Sequence, residues 1–193
     1  MRFRLVTPPV ALAVSLAEAQ LAVRADVDQD GKSPLDADLE RSIRTYTTEA
    51  ESETSRAIME QTWRLTLDAF PTCERGGPGP IQLQFPPLAL VDHVKFYDRD
   101  GVQQTLDPQD YQVDSESEPG FLVPAPGKTW PATADRINAV EVQFQCGFGE
   151  DHTAVPDGIK GFILARVQEH LESGGQTKNE YVRRLLWPYK VHL

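Results

Sequence analysis

A chain of 193 residues, 40% hydrophobic and 25% charged, can bury one substantial core, or a core carrying an inserted lobe, and has the composition of a globular protein. Its 29 acidic residues against 19 basic ones leave a net charge of −10. That argues against a protein whose main work is gripping phosphates, because such binding is driven by lysine and arginine displacing counterions. The two cysteines, Cys73 and Cys146, lack a CxxC partner or paired histidines, so they read as free thiols rather than zinc ligands.

At the N-terminus, Arg2 and Arg4 precede VALAVSLAEAQLA, which imitates a basic region, a short apolar run and small residues at a cleavage site. Against this, Pro8-Pro9 close an extended lead-in segment, and Ser15 with Glu18 forms a capping box opening a helix over 15–25. The apolar run is too short to span a bilayer. The capped helix is the better expectation, with synthesis in the cytoplasm.

The stretch ADVDQDGKSPLD follows. It places Asp26, Asp28 and Asp30 at the first, third and fifth positions of a calcium loop and Gly31 at the sixth. Position twelve, where a bidentate glutamate closes the shell, is Ala37, and Pro34 interrupts the loop before the next helix. The expectation is an acidic inter-helix loop, with Asp36 near the N-terminus of the following helix. That helix is predicted over 36–59, with Leu39, Ile43, Tyr46, Ala50 and Ala57 as its apolar stripe and Glu40, Arg41, Arg44, Glu51 and Ser55 opposite.

The period then changes to two. Trp63, Leu65 and Leu67 alternate with Thr62, Arg64, Thr66 and Asp68, the pattern of a half-buried strand. Further strands are predicted at 81–83, 91–97, 102–106, 111–113, 121–123 and 139–148, with a turn at Asp98-Arg99-Asp100-Gly101. Short strands broken by proline and glycine indicate an antiparallel sandwich or barrel-like lobe. A helix returns at Pro156, with Ile159, Phe162, Ile163, Val167 and Leu171 as its stripe and Gly174-Gly175 at its end. Thr177 and Glu180 form a second capping box, opening a short helix that Pro188 stops.

The expected fold class is therefore α+β. Two N-terminal helices (1–60) and two C-terminal helices (151–193) pack as one helical frame, and the antiparallel β lobe (61–150) is inserted between them.

No enzyme constellation emerges. Ala125-Pro126-Gly127-Lys128-Thr129 ends like a phosphate-binding loop, but Leu122 stands where the motif needs glycine, and Pro124 and Pro126 remove backbone donors. Gly147-Phe148-Gly149 does not extend to a dinucleotide fingerprint and reads as a bulge or turn. His93, His152, His170 and His192 show no metal-ligand spacing, and there is no GxSxG elbow. No cofactor and no metal is expected.

An ordered series of segments carries a family resemblance: TPP…SLAEAQLAVRAD, RAIMEQTWRLTLDAFP, YDRDGVQQTLDPQDYQVD, EPGFLVPAPGKTWPATADRINAVEVQFQCGFGE, VPDGIKGFILARVQEH and LLWPYKV. Together they resemble the head–tail connector (adaptor, or head-completion) proteins of long-tailed bacteriophages and gene transfer agents. The similarity covers nearly the whole chain and rests on the order of segments, since that family has no catalytic motif. The loop DVDQDGKSPLDADLE is longer than the family's compact version. The resemblance implies a structural protein of the virion's head–tail junction, made in the bacterial host's cytoplasm. It implies a ring, usually of twelve copies, that docks on the portal protein and offers a surface to the next tail-side component, a stopper or tail terminator. DNA passes through the channel as cargo, and no membrane is involved.

The C-terminal stretch contrasts with the acidic remainder. Lys178, Arg183, Arg184 and Lys190 against Glu180 give a side-chain charge of +3, beside Leu185, Leu186, Trp187 and Tyr189. Two accounts stand: a terminal helix docked on its own core, or an aromatic anchor in which Arg183, Arg184, Leu185, Leu186, Trp187, Tyr189 and Lys190 contact the portal or a neighbouring subunit. Competing functions are a β-sandwich ligand-binding module, with Trp63, Trp130 or Tyr97 stacking on carbohydrate, and a calcium-regulated protein. Titration calorimetry with calcium tests the last: no tight-binding heat is expected, and a micromolar isotherm would reinstate the loop as a site.

Overall fold

The computed structural model describes residues 1–73, 76–173 and 179–191, the last residue of the middle stretch in its backbone only. The fold is α+β, and the chain divides into two compact units.

The β unit comprises Met1–Pro8 and Glu60–Gly147. One sheet has five strands in the order β1 (Arg2–Thr7), β2 (Gln61–Leu67), β8 (Val140–Cys146), β4 (Leu88–Tyr97) and β5 (Gln103–Thr105). Every neighbouring pair in it is antiparallel. A second sheet has the order β3 (Ile81–Leu83), β7 (Gly120–Pro124) and β6 (Tyr111–Asp114). Among the described residues neither sheet closes into a barrel.

β8 is the central strand of the five-stranded sheet, and its residues alternate strictly. Val140, Val142, Phe144 and Cys146 are buried while Glu141, Gln143 and Gln145 keep partial exposure. Its register sets Val142 beside Leu65 and Phe144 beside Trp63 on β2. Phe3 of β1 meets Phe85 and Phe144 edge-on, at 5.6 and 6.4 Å between ring centres, and Trp63 stacks on Phe85 at 4.2 Å. Gly120, at the head of β7, lies so close to the other sheet that a Cβ there would stand 2.8 Å from a Leu88 methyl carbon, so only glycine fits. The Asp98–Gly101 turn holds as expected: Asp98 accepts from the backbone N–H groups of Asp100 and Val102, and Gly101 takes φ +76°.

Residues 2–7, expected as an extended lead-in, are a paired edge strand. Their alternation, Arg2 and Arg4 against Phe3 and Leu5, is a strand signal that also fits the basic start of a leader.

The helical unit comprises Pro9–Met59 and the described residues from Phe148 onward. It holds α1 (Leu16–Val23), α2 (Asp36–Thr54), α3 (Asp157–Ser173) and α4 (Glu180–Arg183), the last running into a 3₁₀ turn over Arg184–Tyr189. The Ser15 capping box is present in both directions, at 2.8 Å from the Ser15 N–H to Glu18 Oε2 and 3.2 Å from the Glu18 N–H to Ser15 Oγ. Leu39, Ile43, Tyr46 and Ala50 of α2 meet Ile159, Phe162, Ile163 and Val167 of α3 in one buried cluster, with Ala19 of α1. Leu171, counted in the α3 stripe from sequence, is exposed instead.

A buried cation ties α2 to α3. Arg166 is 5% exposed, pairs with Glu169 at 2.6 Å and Glu49 at 3.4 Å, and lies 4.8 Å from the centre of the Tyr46 ring. Burial of the Tyr46 hydroxyl pushes its pKa up.

Two boundaries differ from the sequence expectation. α2 ends at Thr54 rather than 59, where Ser55 takes the left-handed conformation (φ +57°) and the Ile58 N–H turns to Glu51 Oε1. Ala57, Ile58 and Met59 stay buried, so their apolarity mimicked a further helical turn. Pro188 does not end the last helix but sits inside the 3₁₀ turn, which Lys190 N–H closes onto Trp187 O. The Gly174-Gly175 stop and the Thr177 cap lie outside the described residues, and Asn179 serves as the N-cap of α4.

Phe162→Ala removes a ring from the middle of the α2–α3 contact and is expected to lower unfolding stability by about 3–5 kcal/mol. Leu21→Ser, on a residue 81% exposed, is expected to shift it by less than about 0.5 kcal/mol. Urea unfolding of the two variants beside wild type checks both.

Candidate functional site

The segment from Asn179 to Val191 is built on α2 and α3. Asn179 Oδ1 accepts from the Tyr181 N–H at 3.0 Å, satisfying a first-turn donor. Val182 and Leu186, four residues apart, point inward and join the helical core. The Tyr189 ring lies directly over Gly158 of α3, where a Cβ would approach it to 2.8 Å, so the ring would have to shift over any larger residue.

Polar contacts close the other flank. Glu53, in the last turn of α2, accepts two hydrogen bonds from one Arg183 nitrogen, at 2.8 and 2.9 Å, and a third from Lys190 Nζ at 3.3 Å. Arg183 also reaches Glu180 at 3.0 Å. Arg56 Nε donates to the Tyr189 carbonyl, and the Val191 N–H donates to Thr54 O at 3.0 Å. The Arg183 bonds, with help from Lys190, hold the Glu53 carboxyl below its ordinary value despite partial burial. Glu53 and Glu180 raise the Arg183 pKa in turn.

The structure thus divides the residues singled out from sequence. Leu186 is core, Tyr189 packs against it, and Arg183 and Lys190 are engaged by Glu53. Arg184 and Trp187 face solvent, with Trp187 70% exposed; Leu185 lies partly over Gly161 of α3 and is 38% exposed; and Tyr181, which sequence reasoning did not single out, stands outward at 76%. Lys178 lies outside the described residues. Glu53 was also missed: its partners stand 130 and 137 positions away, and nothing local marks it.

The other candidates resolve into structural roles. Asp28 Oδ1 accepts from the N–H groups of Asp30 and Lys32, and Asp36 accepts from the Gln20 amide and the Ser33 N–H. These aspartates shape the loop. Among the described residues no group of three or more histidine, cysteine or acidic side chains is placed to hold a metal ion. Lys128 pairs with Asp110 at 3.0 Å, and Gly127 (φ +78°) forms an ordinary turn. His93 bonds Glu141, His152 bonds Asp151, and His170 meets the Tyr46 ring; His192 lies outside the described residues.

Each aromatic proposed to stack on sugar has a protein partner on a ring face. Trp63 has Phe85, Trp130 has Phe70 at 4.9 Å, and Tyr97 has the Arg136 guanidinium at 4.0 Å. Trp130 also donates its indole N–H to Gly79 O. A cavity of about 280 Å³ borders Phe70 and Trp130, walled by Pro71, Pro78 and Pro131.

No protein-family model and no curated protein sequence matches this chain. Solved structures do match it in fold. A chain from the neck of an empty GTA particle, computed with C6 symmetry, superposes with a TM-score of 0.78 at 21% identity, covering 100% of this chain and 97% of that one. A chain of the native gene transfer agent virion gives 0.75 at 22% identity with the same coverage. One from the neck of the native GTA particle, computed with C12 symmetry, gives 0.63 at 21% identity over 97% of both chains. This chain therefore shares its α+β fold, over essentially its full length, with proteins of those particles.

Because the folded-state pKa of Glu53 lies below its ordinary value of 4.5, its clasp is fully formed above that value and lost as pH falls through the depressed one. Amide exchange of residues 179–191, corrected for intrinsic rates, is expected to stay slow down to about pH 5 and to accelerate in the acid window below 4.5. Glu53→Gln is expected to exchange faster at neutral pH and to show no such step.

Proposed function

We propose that this chain is a structural, non-enzymatic virion protein of the head–tail neck, an adaptor subunit standing between the capsid portal and the next tail-side component. The observation that carries this reading is the full-length fold correspondence with chains of GTA neck and virion particles, which spans both units in order. The ordered segment resemblance in the sequence supports it independently.

In this role the subunit forms a closed ring, of twelve copies by the family resemblance. A ring interface is heterologous, so each subunit offers two different faces. DNA passes as cargo through the channel. A net charge of −10 per subunit, repeated around the ring, disfavours tight phosphate contacts and lets the duplex slide.

The docking surface toward the portal is the outward side of the C-terminal segment: Tyr181, Arg184, Leu185 and Trp187. Exposed tryptophan, tyrosine and arginine on an otherwise well-anchored element are the residue types that dominate binding energy when covered by a partner. Arg183, Leu186, Tyr189 and Lys190 serve by holding that side in place.

Point substitution separates this role from folding better than truncation, because Val182 and Leu186 belong to the core. Tyr181→Ala with Trp187→Ala is expected to leave the unfolding transition unchanged and to weaken attachment to filled heads at least thirtyfold, the equivalent of about 2 kcal/mol. Normal incorporation of the doubly substituted chain into particles would show that docking uses another surface.

A further inference from the structure

The five-stranded sheet ends in two open strands of opposite character, and the geometry points to their pairing between successive copies of this chain, edge to edge, as the ring interface. This rests on the ring-forming role proposed above. β1 occupies one end of the strand order and β5 the other, and among the described residues each is paired with a strand on one side only. All three residues of β5 are exposed, as are five of the six in β1. An exposed edge presents a row of unpaired N–H and C=O groups, a template for another strand.

The two edges also complement each other in charge. β1 carries Arg2 and Arg4. The hairpin around β5 carries Asp98, Asp100 and Asp107 against Lys95 and Arg99, a small acidic excess. Arginines on an edge discourage indiscriminate pairing, and an acidic opposite edge turns the same charges into a selector for head-to-tail contact over β1–β1 contact. Apolar side chains stand ready beside them: Leu5 and Val6 on one edge, 38% and 40% exposed, and Val102 on the other, 54% exposed.

Strand direction is consistent with this arrangement. Four antiparallel steps separate β1 from β5, so the two run the same way within one sheet. Successive copies with the same orientation would therefore set β5 of one alongside β1 of the next in parallel. The contact is heterologous, as ring closure requires. Only the three residues of β5 can form the ladder, so the charges and flanking apolar groups supply the rest of the selectivity.

The test is cross-linking in assembled particles. Arg4→Cys and Gln103→Cys are introduced together in a Cys73→Ser chain, leaving the buried Cys146 in place. A short bis-maleimide then bridges cysteines on adjoining strands, which lie about 5 Å apart across a ladder. A ladder of dimer, trimer and higher species is expected from the double variant, and none from either single variant. Rings visible by electron microscopy without a ladder would overturn the edge pairing while leaving the ring intact. Particles whose neck holds this chain in no ring would overturn the ring-forming role, and the edge pairing with it.

Discussion

The packing of α2 on α3 is the contact on which the rest of the helical unit depends. Ala13, Val14 and Ala19 cover only part of the stripe Leu39, Ile43, Tyr46 and Ala50, and Ile159, Phe162, Ile163 and Val167 complete its burial from beyond the β strands. Neither helix buries its stripe alone, and most helical stability in proteins comes from such packing rather than from intrinsic propensity. The loop closed by this contact is long, but its entropic cost grows only slowly with length. An intervening segment of this length is therefore tolerable in a way that a polar substitution at Phe162 is not. Arg166 reinforces the same seam, because two glutamates and the Tyr46 ring surround its charge.

The C-terminal segment is assembled on that seam and inherits its rigidity. Val182 and Leu186 enter the shared core, Tyr189 covers Gly158, and Glu53 receives both Arg183 and Lys190. On this packed element Tyr181 and Trp187 face solvent. The basic stretch seen in the sequence is thus two things at once. Half of it is internal ion pairing, and Arg184 faces outward beside the aromatic side chains. The β unit contributes differently, through a sheet whose two ends stay open.

Much of the fold was legible because each element states its own period. β8 alternates without a break from Val140 to Cys146, the Ser15–Glu18 box marks the start of α1, and Asp98–Gly101 marks a turn, all through contacts within a few residues. The aspartates of ADVDQDGKSPLD were likewise legible as a loop, since the missing glutamate at Ala37 is a local fact. Illegible features were those decided at a distance. β1 is a strand because β2 lies beside it, and α2 stops at Thr54, where Ser55 turns left-handed and Ile58 and Met59 join the same core from outside the helix.

By itself, then, the sequence determined the order and type of the elements after β1, the acidic balance, the absence of a recognisable catalytic motif and the concentration of aromatic and basic residues near the C-terminus. Local periodicity, capping and composition suffice for these. Only the tertiary structure decided which of those C-terminal residues face outward. The inward or outward sense of Leu186 and Trp187, or of Arg183 and Arg184, depends on where α3 and Glu53 sit. Residues one position apart in such a segment differ only in the neighbours that folding brings to them.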